Sequence, residues 1–166
     1  MRDETYDRAI LGLPSAPPAD PGEWYVAFYG VKRMGWWDWV FTRPGFRHVM
    51  AFTYSSHAER WLIYDLARDR TFVRAYRSEA FDAWLAAEMP PEATILRVKS
   101  QQVGPVALHR LIFDCVSSVK HLVGSPSRAL RPEALCRDLL ATGAVYAFGT
   151  GPDEKAESRS PTGRSG

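Results

Sequence analysis

The sequence predicts an α+β domain in which an antiparallel sheet packs against helices. The first observation is a series of short aromatic and β-branched runs, separated by turn residues, that fills most of residues 23–76. The second is a set of later segments that repeat apolar residues at helical spacing and end at Gly or Pro. The chain has 166 residues, of which 46% are hydrophobic and 24% charged, and this is enough for one domain with a core.

The strands begin with EWYVAFYG, residues 23–30, which ends at a glycine. The Trp-rich stretch 31–45 is predicted to be a loop or a short helix. The next strand, FRHVMAFTY at 46–54, places its even positions, including His48 and Met50, on one face. The turn SSHAE then folds a third strand back as a hairpin. The six expected strands span residues 23–30, 46–54, 60–67, 68–76, 93–101 and 144–148.

Three helices are expected, and each has a recognisable boundary. Ser78 is the predicted N-cap of the first, which ends at a Pro-Pro pair. In the third, Pro132 stands in the first turn and Gly143 lies just past the end. The segment 103–113 is compatible with either a strand or a loop. The three expected helices span residues 79–89, 115–123 and 131–143.

Composition divides the chain into one domain with two polar ends. Residues 1–22 are predicted to form a Pro-rich arm, residues 23–149 a single domain, and residues 150–166 a disordered tail. The formal net charge is +2 with Lys and Arg scattered, so no nucleic-acid partner is expected. The start lacks the apolar run of a signal peptide, and no stretch is long enough to span a membrane. We therefore expect a soluble protein made in the cytoplasm.

Two cysteines, Cys115 and Cys136, are too few for a disulfide framework or a zinc site, although one bridge between them stays open. No metal or cofactor is expected. Cys136 lies in the middle of the third helix beside leucines, so we assign it to the core.

Cys115 stands in the first turn of the second helix, with Asp114 as a candidate cap. A thiolate at that place faces the positive end of the helix dipole, and the backbone N–H groups there can bind an oxyanion. Those are the requirements of acyl transfer at a thiol, although the charge of Asp114 works mildly against the thiolate. The alternative is a buried structural thiol, since free cysteines are commonly buried.

A nucleophilic cysteine needs a base, and His48 is the best candidate among the four histidines. It opens an apolar strand, where an imidazole is costly unless it is used or hydrogen-bonded. A hydrogen-bonded strand histidine without a catalytic role is the alternative. His57 falls in the hairpin turn, His109 in the ambiguous segment, and His121 too far along the helix from Cys115.

The base needs an orienting group, and Asp65 is the candidate because a carboxylate is unusual after the apolar run WLIY. A hairpin centred on SSHAE places position 48 near position 65 or 66, where side chains on one face can meet. Asp65 could instead be a turn carboxylate paired with Arg68 or Arg70. Glu59 and Tyr64 are weaker substitutes for it.

The stretches GFRHVMAF, WLIYDLA and FDCVSSVKHLVG, in this order, resemble the circularly permuted papain-like group, which includes bacterial NlpC-type hydrolases and the lecithin retinol acyltransferases. In ordinary papain-like enzymes the cysteine helix comes before the histidine strand. The resemblance covers about residues 24–148 and is nearest to small bacterial and phage-associated members. It implies an α+β permuted papain-like (NlpC-type) architecture and a Cys115–His48–Asp65 triad.

The acyltransferase branch usually has a second histidine and an asparagine before its cysteine, where this chain has Asp65 and Asp114. The prediction is therefore a thiol hydrolase, a cysteine peptidase or amidase acting on a peptide or a peptidoglycan-like cell-wall amide. Gln102, or Gln101 beside it, is the candidate second oxyanion donor. The Trp-rich loop 36–39 either walls the cleft or packs in the core.

The alternative function is a catalytically inactive structural or assembly protein on the same fold, a phage or prophage component that binds other particle proteins. A fold alone does not decide between these functions. The Pro-rich arm and the polar tail suit an assembly part, which would then be associated with the virion.

Overall fold

The structure, a computed structural model, describes residues 22–30, 46–66, 71–100 and 115–147. These residues confirm the α+β class, with six strands and three helices in the described part of the chain. The predicted tail, the arm except Gly22, the Trp-rich segment and the ambiguous segment 103–113 lie outside it. The strands are β1 (Glu23–Tyr29), β2 (His48–Ser55), β3 (Arg60–Leu66), β4 (Thr71–Tyr76), β5 (Thr94–Lys99) and β6 (Val145–Tyr146).

The strands form one antiparallel sheet in the order β4-β3-β2-β1-β5-β6. Strand β1 lies inside it, between β2 and β5, and its middle residues are fully buried. That burial explains why EWYVAFY reads as a nearly continuous apolar run, since both faces of a central strand are covered. The short sixth strand, predicted at residues 144–148, closes one edge.

The β2–β3 hairpin is the element that positions two of the candidate site residues. Its turn occupies residues 56–59, and Glu59 adopts a left-handed φ of 50° there. The ladder pairs Ser55 with Arg60 and continues to the pair Ala51–Tyr64. Because strand side chains alternate between faces, this register fixes which residues of the two strands can meet.

The helices are α1 (Ser78–Glu88), α2 (Cys115–Val123) and α3 (Pro132–Ala141). The N-cap of α1 is Arg77, which makes no side-chain capping bond, so the predicted cap at Ser78 is wrong by one residue. Ser78 is already helical because Phe81 donates its backbone N–H to the carbonyl of Arg77. Helix α3 begins one residue later than the expected start at 131, with Pro132 in its first turn as predicted. Gly143 lies past its end with φ of 98°.

The sheet is covered on both faces by separate hydrophobic clusters. Helices α2 and α3 pack against one face, on residues such as Val26 and Val49. Helix α1 packs against the other face, where Trp61 stacks on Phe81 with ring centroids 4.3 Å apart. Aromatic residues dominate this second cluster, so part of the chain's Trp content serves core packing. In the described residues no helix is long and apolar enough to cross a membrane.

Candidate active site

The candidate site lies at one end of the sheet, where β1 ends at Tyr29, β2 begins at His48 and α2 begins at Cys115. His48 and Asp65 are joined by a hydrogen bond, with Nε2 of the imidazole 2.7 Å from Oδ1 of the carboxylate. Their side chains are 16% and 28% exposed, so solvent screens this ion pair only in part.

The register of the hairpin makes this contact diagonal. Continuing the β2–β3 ladder places Asp65 opposite Met50, one pair further from the turn than Ala51 and Tyr64. His48 is two residues along from Met50 on the same face, and a diagonal neighbour is still within reach of long side chains. The expectation that the hairpin brings position 48 near position 65 is therefore confirmed, through a diagonal contact between the two side chains.

The thiol of Cys115 lies near the imidazole of His48, close enough to raise the pKa of that ring. Because Nε2 is already bonded to Asp65, Nδ1 is the ring nitrogen left for the thiol. The Cys115 side chain is partly buried and packs against the hydrophobic cluster under α2. The structure therefore brings together Cys115, His48 and Asp65, which lie on a helix and two strands.

Two opposing influences set the pKa of His48. Burial, the largest influence, lowers it, but the hydrogen bonds to Asp65 and Cys115, together with their charges, raise it to about 9. The imidazole is therefore protonated at neutral pH, and both ring nitrogens are donors. An imidazolium held between a carboxylate and a thiol is the state that can stabilise a thiolate.

The other described candidates lie elsewhere. His57 is exposed in the hairpin turn, and His121 is exposed on α2. Glu59 lies in that same turn, at the far end of the hairpin from His48, and Tyr64 alternates to the opposite face from Asp65. Neither can therefore replace Asp65.

Several expected participants lie outside the described residues. They are Asp114, Gln101, Gln102, His109, the Trp-rich loop 36–39, Arg68 and Arg70. The proposed oxyanion role of Gln102 and the competing pairing of Asp65 with arginines stay predictions.

Tyr29 is a site residue that the sequence reasoning missed. It pairs with His48 across the β1–β2 ladder, and the two rings meet edge to face with centroids 5.2 Å apart. Burial, followed by the nearby charges of Asp65, Cys115 and Glu88, raises the pKa of its phenol well above the ordinary value. The only signal in the sequence was a tyrosine at the end of a strand.

Cys136 is 5% exposed in the cluster beneath α2 and α3, as predicted for a core thiol. Both cysteines are free, so the open possibility of a Cys115–Cys136 bridge is excluded in this structure. Within the described ranges, no group of three or more His, Cys, Asp or Glu side chains could hold a metal ion.

Comparisons of the chain with protein families, with curated proteins and with solved structures find no match.

Proposed function

We propose that this protein is a thiol hydrolase of the peptidase or amidase kind, with a peptide or a cell-wall amide as substrate. The observation that carries the proposal is the arrangement of His48, whose imidazole bonds Asp65 through Nε2 at 2.7 Å and also contacts the thiol of Cys115. A nucleophile bonded to a base, with the base held by a third group, is the arrangement that covalent acyl transfer requires.

In the proposed reaction, the Cys115 sulfur attacks the substrate carbonyl carbon while His48 holds the proton that the thiol has lost. A C–S bond forms, and the electron pair of the carbonyl moves onto its oxygen. When this intermediate collapses, the amide C–N bond breaks and His48 donates its proton to the leaving nitrogen. A thioester to Cys115 and a free amine result.

Water completes the turnover. His48, now neutral, takes a proton from the water that attacks the thioester, and the C–S bond breaks to release a carboxylic acid. Asp65 accepts a hydrogen bond from Nε2 throughout, which keeps the other nitrogen directed at the reacting atoms. The first-turn N–H groups of α2 have no acceptor within the helix and favour negative charge beside Cys115.

We also propose the permuted papain-like (NlpC-type) architecture. It is supported by an antiparallel sheet that carries His48 and Asp65 on neighbouring strands and by a later helix that begins at Cys115. The order of these residues along the chain is the permuted one.

The experiment is covalent labelling of the folded full chain at neutral pH with a thiol-reactive probe that carries an amide. Peptide mass spectrometry then reports Cys115 and Cys136 separately in the same sample. We expect Cys115 to react at least about a hundredfold faster, since general-base assistance contributes on that order. The Cys115→Ala variant tests the selectivity, and peptidoglycan fragments and peptide mixtures are then offered as substrates.

Equal labelling of the two cysteines would refute the hydrolase. It would leave the non-catalytic assembly role as the better interpretation of the chain.

A further inference from the structure

Tyr29 contacts His48, the proposed base, from β1, whereas Asp65 lies on β3 and Cys115 on α2. It is the last residue of β1, directly opposite His48 in the ladder, and the planes of the two rings stand at 75° with centroids 5.2 Å apart. Its hydroxyl donates to the sulfur of Met50 at 3.5 Å. The phenol is thus anchored at its tip while its ring borders the imidazole.

We propose that Tyr29 is a positioning residue for His48, whose ring holds the imidazole in the orientation that reaches Asp65 and Cys115 together. This inference rests on the proposed function, because the orientation matters only if His48 transfers protons. The contacting group is the ring, and the hydroxyl serves only to anchor it.

The need for such a residue follows from the freedom of a histidine side chain. Its second torsion is broad, so the bond to Asp65 fixes one nitrogen while the ring can still tilt about that bond. An edge-to-face aromatic contact is directional and limits this tilt. Because proton transfer needs hydrogen-bond reach to the sulfur, a small tilt of the ring would slow it.

The phenol is also suited to this place because it stays uncharged. Burial, and then Asp65, Cys115 and Glu88, disfavour the phenolate and raise the pKa of Tyr29. Asp65 faces His48 from β3 and Cys115 faces it from α2, so Tyr29 adds no third charge to the pair. Because the Tyr29 phenol stays neutral, it does not change the attraction between the His48 imidazolium and its charged partners.

The chain offers a matched control in Tyr25. It lies four residues earlier on β1, on the same face as Tyr29, and is 3% exposed. It stacks on Phe52 with centroids 5.3 Å apart, deep in the cluster under α1 and away from His48. Replacing it removes comparable packing without touching the imidazole.

The test compares Tyr29→Phe, Tyr29→Leu and Tyr25→Leu in the full chain. The first readout is the rate at which the amide-bearing thiol probe labels Cys115, measured on protein that circular dichroism shows to be folded. We expect Tyr29→Leu to label about ten- to a hundredfold more slowly, the scale of a misplaced catalytic group. Tyr29→Phe retains the ring and is expected to stay within about threefold of the parent, and Tyr25→Leu likewise.

The second readout is the pKa of His48, measured by NMR on protein with labelled histidine. If the ring positions His48, Tyr29→Leu weakens the hydrogen bonds that raise this pKa, and the value falls from about 9 toward 6.5. If the ring only covers His48, its removal relieves the burial that lowers the pKa, and the value rises. The direction therefore separates positioning from packing.

Three results would overturn the proposal. They are a rise in the His48 pKa in Tyr29→Leu, an equal loss of labelling in Tyr25→Leu, and a loss in Tyr29→Phe as large as in Tyr29→Leu. Should Tyr29→Leu not fold, Tyr29→Met takes its place, since Met fills irregular space. If parent Cys115 labels no faster than Cys136, the hydrolase fails, and the His48 pKa still decides the role of Tyr29.

Discussion

The two cysteines of this chain share one hydrophobic cluster, with Cys136 inside it and Cys115 packed against it, and yet their chemical settings are opposite. Cys136 lies within α3 between Leu135 and Leu139, where burial, and then the charge of Glu133, raises its pKa to about 11. Cys115 lies at the start of α2, partly exposed and beside the imidazole of His48. The setting of Cys136 disfavours a thiolate, whereas the setting of Cys115 places a cation, the His48 imidazolium, beside the sulfur.

The difference comes from neighbouring residues, since the side chains are identical. A thiol in apolar surroundings loses the solvation that its anion needs. At Cys115 the neighbour is an imidazole whose own proton is held by a carboxylate. The comparison predicts that changes at His48 and Asp65 act on Cys115 and leave Cys136 alone.

Removal of the imidazole should have the largest effect. In His48→Ala, Cys115 loses its proton acceptor, and we expect its labelling rate at neutral pH to fall by about two to four orders of magnitude. Peptide mass spectrometry measures both cysteines in the same sample, so labelling of Cys136 is an internal reference that should not change.

The matched control is His121→Ala, which removes an exposed imidazole from the helix that carries Cys115. Its labelling rate should equal that of the parent. If His48→Ala also labels at the parent rate, His48 is not the base and the contrast between the two cysteines has another origin.

Asp65→Asn should have the next largest effect. An asparagine can present an N–H where the imidazole Nε2–H needs an acceptor, which favours the wrong tautomer. Loss of the corresponding carboxylate in serine protease triads costs about 10⁴ in turnover. A thiolate–imidazolium pair tolerates a neutral third member better, so we expect Cys115 labelling to slow about ten- to a thousandfold.

The companion variant is Glu59→Gln, which neutralises a carboxylate in the turn of the same hairpin and should leave labelling unchanged. Parent-like labelling in Asp65→Asn, combined with slow labelling in His48→Ala, would remove Asp65 from the site.

The sequence predicted the His48–Asp65 contact because both residues belong to one hairpin, whose alternating pattern and turn residues are local signals. It did not predict the register, because the position of the turn at residues 56–59 decides which pairs face each other. The contact between Tyr29 and His48 could not be predicted from the sequence, for a different reason. The pairing of Tyr29 with His48 spans the segment 31–45, and nothing in a segment of that length indicates strand register.

The raised pKa of His48 should also appear in the stability of the fold. Folded His48 keeps its proton to about pH 9, whereas the unfolded chain releases it near 6.5. The stabilisation is therefore complete below about pH 6.5 and is lost as the pH rises to about 9. Urea unfolding of Cys115→Ala, which has no thiol proton to pass to His48, should show the free energy of unfolding falling with pH across this range.

In His48→Ala this fall should be absent or much smaller, because the residue that links folding to protons is gone. The raised pKa of Cys136 affects the free energy of unfolding only above its ordinary value of 9.0. Cys136 therefore does not contribute to the pH dependence between 6.5 and 9. An equal slope in Cys115→Ala and His48→Ala would show that another group titrates there.

The smallest effect is expected at the second cysteine. Cys136→Ala deletes one buried sulfur from a packed cluster, and we expect it to lower the free energy of unfolding by about 1–2 kcal/mol. Chemical denaturation measures this loss, while the labelling rate of Cys115 should match the parent because the cavity lies among the leucines of α3. A Cys136→Ala variant with parent stability and slowed Cys115 labelling would mean that the two thiols are coupled, and the contrast between a structural and a reactive cysteine would fail.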